Sequence, residues 1–163
     1  MSDAPRILFV CAKFGSRSVF AAHICNLNSP WGVIAEASSF EEGKLSSKFF
    51  SYTESLGFDL KKDQLPSLFE HYKRGESFDH VVMMCSEQSG EHCHIFSLSV
   101  RELYGDKAVL HSWDVPDFSR ITGTPDAARR QFLDAVASLD TRIVKLLELM
   151  TTEDKELIDS NTH

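Results

Sequence analysis

The stretch Arg6-Ile-Leu-Phe-Val-Cys11-Ala-Lys-Phe-Gly-Ser-Arg17-Ser18 decides how this chain is read. Its apolar run is strand-length, so a strand over Arg6–Val10 is expected to carry Cys11 to the edge of a sheet. Arg17-Ser18 then opens a helical pattern. A tight loop between such a strand and helix aims successive backbone N–H groups at one point, and the helix adds the positive end of its dipole. Those surroundings lower a thiol's pKa from ~8.5 to roughly 3.5–7.5, so Cys11 is expected to be a thiolate at neutral pH. The planar fork of Arg17 matches two oxygens of a tetrahedral anion. Segment 11–18 therefore reads as a nucleophile inside an oxyanion-binding loop built from Ala12, Lys13, Phe14, Gly15, Ser16, Arg17 and Ser18. Read alone, Cys11 is equally a buried strand-end cysteine.

Outward from this stretch, strand-length apolar runs alternate with helical patterns. Arg17–Leu27 is expected to be a helix with Phe20, Ile24 and Leu27 on one face, followed by a strand at Trp31–Ala37. Leu45–Leu56 reads as a helix with Phe49, Tyr52 and Leu56 inward, stopped by Gly57, and Leu65–Arg74 as another, ended by Gly75. Phe78–Met84 is β-branched at its middle and apolar enough for a strand buried on both faces. A helix around Ile95–Tyr104 and a strand at Ala108–His111 follow.

The last helix carries the clearest signals. Thr124 is placed to cap it, Pro125 takes the first helical position, and Asp126 falls in the first turn. Phe132, Val136, Leu139, Ile143, Leu146 and Met150 then recur at intervals of three and four. Residues 1–150 read as one domain and 151–163 as a polar, frayed tail. Alternating βα units predict an α/β fold with a doubly wound, four-stranded parallel sheet flanked by helices. Ligands on such sheets bind beyond the carboxyl ends of the strands, near the point where strand order reverses.

Composition bounds the function. At 163 residues the chain buries about 70% of the surface its unfolded form exposes. Its formal charge of −7 argues against general nucleic-acid binding, which needs a basic field. No apolar run approaches a membrane span, and the start Met-Ser-Asp-Ala-Pro-Arg lacks a signal-peptide layout. A cytoplasmic protein is expected, with neither nucleic acid nor membrane as partner. In that compartment four cysteines point to catalysis or metal more than to structural bridges.

A strand followed by Cys-five-Arg-Ser resembles the low-molecular-weight protein tyrosine phosphatases and their relatives, the thioredoxin-coupled arsenate reductases. Both families read Gly-Asn where Lys13 and Phe14 stand here, and a second cysteine at the place of Ser16. Gly15, one place later, is expected to supply the positive-φ position. Some of the reductases hold potassium through that asparagine and a glutamate on the first helix. Phe14 and Ala22 occupy those positions, so no metal or cofactor is expected, and Lys13 stands in as a fixed positive charge.

The third strand ends Met84-Cys85, and Cys93 follows a short loop later. In a parallel sheet Cys85 emerges beside Cys11. The phosphatases typically read Met-Asp here, whereas the reductases carry a cysteine with another just beyond. The resemblance to the reductases thus implies that Cys85 and Cys93 resolve an adduct on Cys11. The resulting Cys85–Cys93 disulfide would pass to a thioredoxin-like reductant, with Gly90 as a hinge. Zinc on His92, Cys93 and His94 with Cys85 is a weaker alternative, since adjacent residues rarely share one ion. Cys25 is expected in the core, and His71, His80 and His111 are read as structural or solvent-exposed.

The loop His111-Ser-Trp-Asp114-Val-Pro-Asp117-Phe118 resembles the general-acid loop of both families, pointing to Asp117 with Asp114 in reserve. Arsenate reduction is the first functional expectation. Hydrolysis of a phosphate monoester through a cysteinyl-phosphate is the second, and an inactive relative that binds an oxyanion or phosphorylated partner is the third.

Overall fold

The computed structural model describes residues 4–13, 15–29, 32–41, 47–60, 65–117 and 123–161. Among these residues four strands, β1 (Arg6–Lys13), β2 (Ile34–Glu41), β3 (His80–Cys85) and β4 (Val109–Asp114), form one sheet in the order β2-β1-β3-β4. All three pairings are parallel. The strand order reverses between β1 and β3, so the expected doubly wound α/β sheet is present and its switch point lies where Cys11 and Cys85 emerge.

Among the described residues five helices flank the sheet: α1 (Ser16–Asn28), α2 (Ser47–Ser55), α3 (Leu68–Lys73), α4 (Cys93–Tyr104) and α5 (Pro125–Asn161). A 3-10 turn spans Glu87–Ser89. The pleat sorts β1 by parity, because successive side chains on a strand point to opposite faces. Ile7, Phe9 and Cys11 pack with Phe20, Ile24 and Cys25 of α1 and with Phe132, Leu139 and Ile143 of α5. Leu8, Val10 and Ala12 pack on the other face with Leu68 of α3 and with Phe96, Val100 and Tyr104 of α4.

Several boundaries differ from the sequence expectation, each for a physical reason. β2 lies three residues later than Trp31–Ala37, because its register with β1 runs from Arg6↔Ile34 to Lys13↔Glu41. That carries Ser38 and Ser39 into the interior, where their polarity hid the strand from an apolar pattern. The helix expected from Leu65 begins at Leu68 after Ser67, whose hydroxyl accepts from the Glu70 N–H at 3.1 Å. On α1 the expected inward Leu27 is exposed, and on α2 Tyr52 is exposed as well.

The capping of α5 is as read: the Ala127 N–H donates to the Thr124 hydroxyl at 3.2 Å. The helix continues past Met150 to Asn161, so its backbone does not end where the apolar spacing stops. Segment 151–161 contains neither Pro nor Gly to break it. No helix among the described residues is long and apolar enough to cross a membrane.

Candidate active site

β1 runs two residues past Cys11, pairing Cys11 with Ser39 and Lys13 with Glu41, and α1 begins at Ser16. Ala12 and Lys13, expected in the anion loop, are therefore the last residues of β1. Gly15 directly precedes the helix, and Phe14 lies outside the described residues. Gly15 has φ 75°, the left-handed conformation expected of it, and a Cβ there would run into the Leu65 side chain. Its N–H donates to the Lys13 carbonyl at 2.9 Å, so that donor is turned away from any ligand.

Cys11, Ser16, Arg17 and Ser18 are all sealed from solvent. The Ser18 N–H donates to Cys11 Sγ at 2.8 Å, and the Ser18 hydroxyl donates to the Gly15 carbonyl at 3.1 Å. Burial pushes the Cys11 thiol up; Arg17 and the Ser18 hydrogen bonds pull against it, while the charge of Glu91 adds to the rise. The lowering of the Cys11 pKa expected from the sequence is thus reversed in this closed arrangement, because desolvation outweighs the cation. Lys13 pairs with Glu41 at 3.7 Å, and the cation acting on Cys11 is Arg17.

Arg17 is not open to a ligand. Its Nη1 donates to Glu91 Oε1 at 2.7 Å and its Nη2 to Glu91 Oε2 at 2.6 Å, a buried two-point pair. Nη1 also donates to the Val115 carbonyl at 2.9 Å and Nη2 to the Lys13 carbonyl at 3.3 Å. Nε is buried without a partner among the described residues. Burial works against the guanidinium's charge, but Glu91, Cys11 and Asp117 outweigh it, and its pKa is raised.

Glu91 is the residue that sequence reasoning missed. Nothing in its local pattern separates it from Glu87 in the same loop; only the fold brings it to Arg17. That loop joins Cys85 to Cys93, which are linked by a disulfide with their Cα atoms 5.8 Å apart. Cys85 follows Met84, the residue that pairs with Cys11, so the disulfide lies at the carboxyl end of the strand beside Cys11. With Cys93 in that bond, its sulfur is not a zinc ligand. Gly90, the expected hinge, has φ 75°.

Asp117 and Asp114 part company here. The Ser16 hydroxyl donates to Asp117 Oδ1 at 3.1 Å, and the Asp117 N–H donates to the Ser89 hydroxyl at 2.9 Å. Asp117 is half-buried against the start of α1, whereas Asp114 is exposed at the end of β4. Phe118 lies outside the described residues.

Among the histidines, His80 Nδ1 meets His111 Nε2 at 2.9 Å in a stacked pair. His71 is buried against Glu76 through Nδ1. Glu36, His71 and Glu76 bring one ligating atom each within 4.8 Å of one another. Arg6 already occupies Glu36 at 2.8 Å, which places a competing cation on that carboxylate. Cys25 is in the core as expected.

No family model and no curated protein matches this sequence. Solved structures do. The chain is similar to the arsenate reductase from Archaeoglobus fulgidus DSM 4304, at 22% identity and TM-score 0.60, over 87% of this chain and 98% of that one. It is similar to the YwlE arginine phosphatase from Geobacillus stearothermophilus, at 24% identity and TM-score 0.61, over 93% and 96%. This chain has the fold of the low-molecular-weight phosphatases and arsenate reductases. The tyrosine phosphatase Wzb from Escherichia coli K30, in complex with sulphate, matches at 17% identity and TM-score 0.59, over 88% and 99%.

Proposed function

We propose that this protein is an arsenate reductase of the thioredoxin-coupled kind. The observation that carries the reading is the Cys85–Cys93 disulfide at the carboxyl end of β3, beside the end of β1 that holds Cys11. A phosphatase has no use for that pair. The fold, shared with arsenate reductases and with a phosphatase crystallised with sulphate, supports a tetrahedral oxyanion as the ligand.

In the reduced protein, the Cys11 thiolate attacks the arsenic of arsenate. An arsenate oxygen leaves as water, taking a proton from Asp117, because a departing oxygen is a poor leaving group unless protonated. Arg17, with backbone N–H groups of segment 12–18 where they are free of the ladder, holds the remaining oxygens, and Ser18 steadies the sulfur. The Cys85 thiolate then attacks Cys11 Sγ. A Cys11–Cys85 bond forms, the sulfur–arsenic bond breaks, and its electron pair leaves with arsenic as arsenite. Cys93 attacks Cys85, freeing Cys11 and moving the bond to Cys85–Cys93. A thioredoxin-like dithiol restores the two thiols and is itself oxidised.

Replacing Cys93 tests the order of these steps. Cys93→Ser is expected to stop after one cycle with Cys11–Cys85 trapped, read by mass spectrometry and by thioredoxin-dependent NADPH consumption. Full multiple turnover by that variant overturns the three-thiol scheme. Hydrolysis of phosphate monoesters is the second reading, favoured by the Ser16–Asp117 hydrogen bond that keeps a carboxyl at the start of α1. Turnover of a chromogenic aryl phosphate without any reductant supports it instead.

A further inference from the structure

The closed site holds an anion of its own. Glu91 meets Arg17 end-on through both carboxylate oxygens at 2.6 and 2.7 Å, the two-point geometry that an oxyanion would use on the same fork. Glu91 Oε1 also accepts the Ser86 N–H at 3.0 Å, so the carboxylate sits in a cage of donors. Its charge acts on Cys11, which places it in the electrostatic neighbourhood of the nucleophile. The match to Arg17 is nonetheless incomplete. A carboxylate has two oxygens, and Arg17 Nε remains buried without a partner among the described residues. Leaving such a donor unpaired is unfavourable, and a tetrahedral ion brings further oxygens that can approach from that side.

Glu91 belongs to the loop closed by the disulfide. The loop is knit internally by Ser89 N–H to the Ser86 carbonyl at 3.1 Å and Gly90 N–H to the Glu87 carbonyl at 2.9 Å. It also reaches the proposed acid, because Ser89 accepts the Asp117 N–H. One loop thus touches both Arg17 and the Asp117 segment, and the Cys85–Cys93 bond ties its ends together.

We propose that Glu91 is a built-in oxyanion mimic that occupies Arg17 while Cys85 and Cys93 are disulfide-bonded, and that reduction of the bond releases it. The inference rests on the reading of Arg17 as the oxyanion-binding group. A dithiol reductant supplies two electrons and two protons, the sulfur–sulfur bond becomes two thiols, and the loop is no longer closed. Glu91 then leaves Arg17 for solvent and the site accepts its substrate. An oxidised molecule, which lacks the resolving thiols for another cycle, would thereby be kept from binding arsenate unproductively.

Inorganic phosphate is the probe, titrated calorimetrically into the protein oxidised and after reduction with dithiothreitol. If the plug is in place nine-tenths of the time or more, the reduced protein binds phosphate about tenfold tighter or better. Glu91→Gln keeps the side-chain shape and removes the charge, so its oxidised form is expected to bind about as tightly as the reduced parent. Equal phosphate affinity of the parent in both redox states overturns the proposal. So does weaker binding by Glu91→Gln in both states, which would make Glu91 a brace for Arg17.

A second readout does not depend on affinity. In the oxidised protein only Cys11 and Cys25 are free thiols. Iodoacetamide labelling mapped by mass spectrometry is expected to spare Cys11 in the parent and to reach it in Glu91→Gln and in the shorter Glu91→Asp. Protection of Cys11 in all three overturns the plug. Redox-gated phosphate affinity without arsenate turnover would sustain the gate and sink the reductase reading. Turnover with ungated affinity would do the reverse.

Discussion

Cys11 and Cys25 are both fully buried and share the cluster between the sheet, α1 and α5, yet their surroundings give them different chemistry. Around Cys25 nothing opposes desolvation, and burial alone pushes its thiol up to about 11. Around Cys11 burial meets a cation and two Ser18 hydrogen bonds that favour the charged sulfur, while a nearby carboxylate works against them. Cys25 lies in apolar surroundings. Around Cys11 the opposing charge belongs to the loop that carries Glu91, so equal burial leaves one thiol among apolar groups and the other among charged ones.

The largest separation is expected from replacing each thiol. Cys11→Ser should lower arsenate turnover by roughly 10⁴ or more, as losing a nucleophile does, whereas Cys25→Ser should leave it unchanged. A comparable loss in both variants, measured by steady-state kinetics, erases the distinction. Next comes the proposed acid: Asp117→Asn should slow the chemical step by on the order of 10²–10⁴, read in single-turnover experiments. An unchanged rate passes the role to Asp114 or to water.

The cation that sets Cys11 apart is itself part of the fold. In the oxidised protein Arg17→Met strands Glu91 as an uncompensated buried charge, costing about 3–5 kcal/mol in chemical denaturation. Adding Glu91→Leu should recover most of that loss, since an apolar pair of similar volume replaces a buried ion pair at little cost. The smallest effect belongs to Cys25. Its pKa is raised in the folded protein, so the folded state holds that proton more tightly than the unfolded chain does. Its contribution to stability is fully present below the ordinary thiol value of 9.0 and is lost as pH rises through about 11. Cys25→Ala should flatten the fall of the melting temperature over that window.

Much of this architecture is legible in local pattern. The apolar run before Cys11, the β-branched run before Cys85 and the three-four spacing of Phe132 to Met150 each announce their element, because period follows backbone geometry. The alternation of elements then implies a parallel sheet with Cys11 and Cys85 side by side, as its strand order has it. β2 was misplaced because Ser38 and Ser39 look like loop residues, and their burial comes from pairing with β1. The sequence marks Arg17 as a candidate for an anion, but nothing in it marks Glu91 as the partner.

From the chain alone come the βα alternation, the spacing of Cys11 and Arg17, the two cysteines eight apart at the end of β3 and the cap of α5. Only the tertiary structure decides that β1 continues to Lys13, that Asp117 rather than Asp114 lies against α1, and that Glu91 takes Arg17. Periodicity and capping act within a few residues, so they are written in sequence order. The Arg17–Glu91 pair spans 74 residues, and such a contact exists only once the packing of the sheet has brought the two segments together and excluded the water that would otherwise screen them.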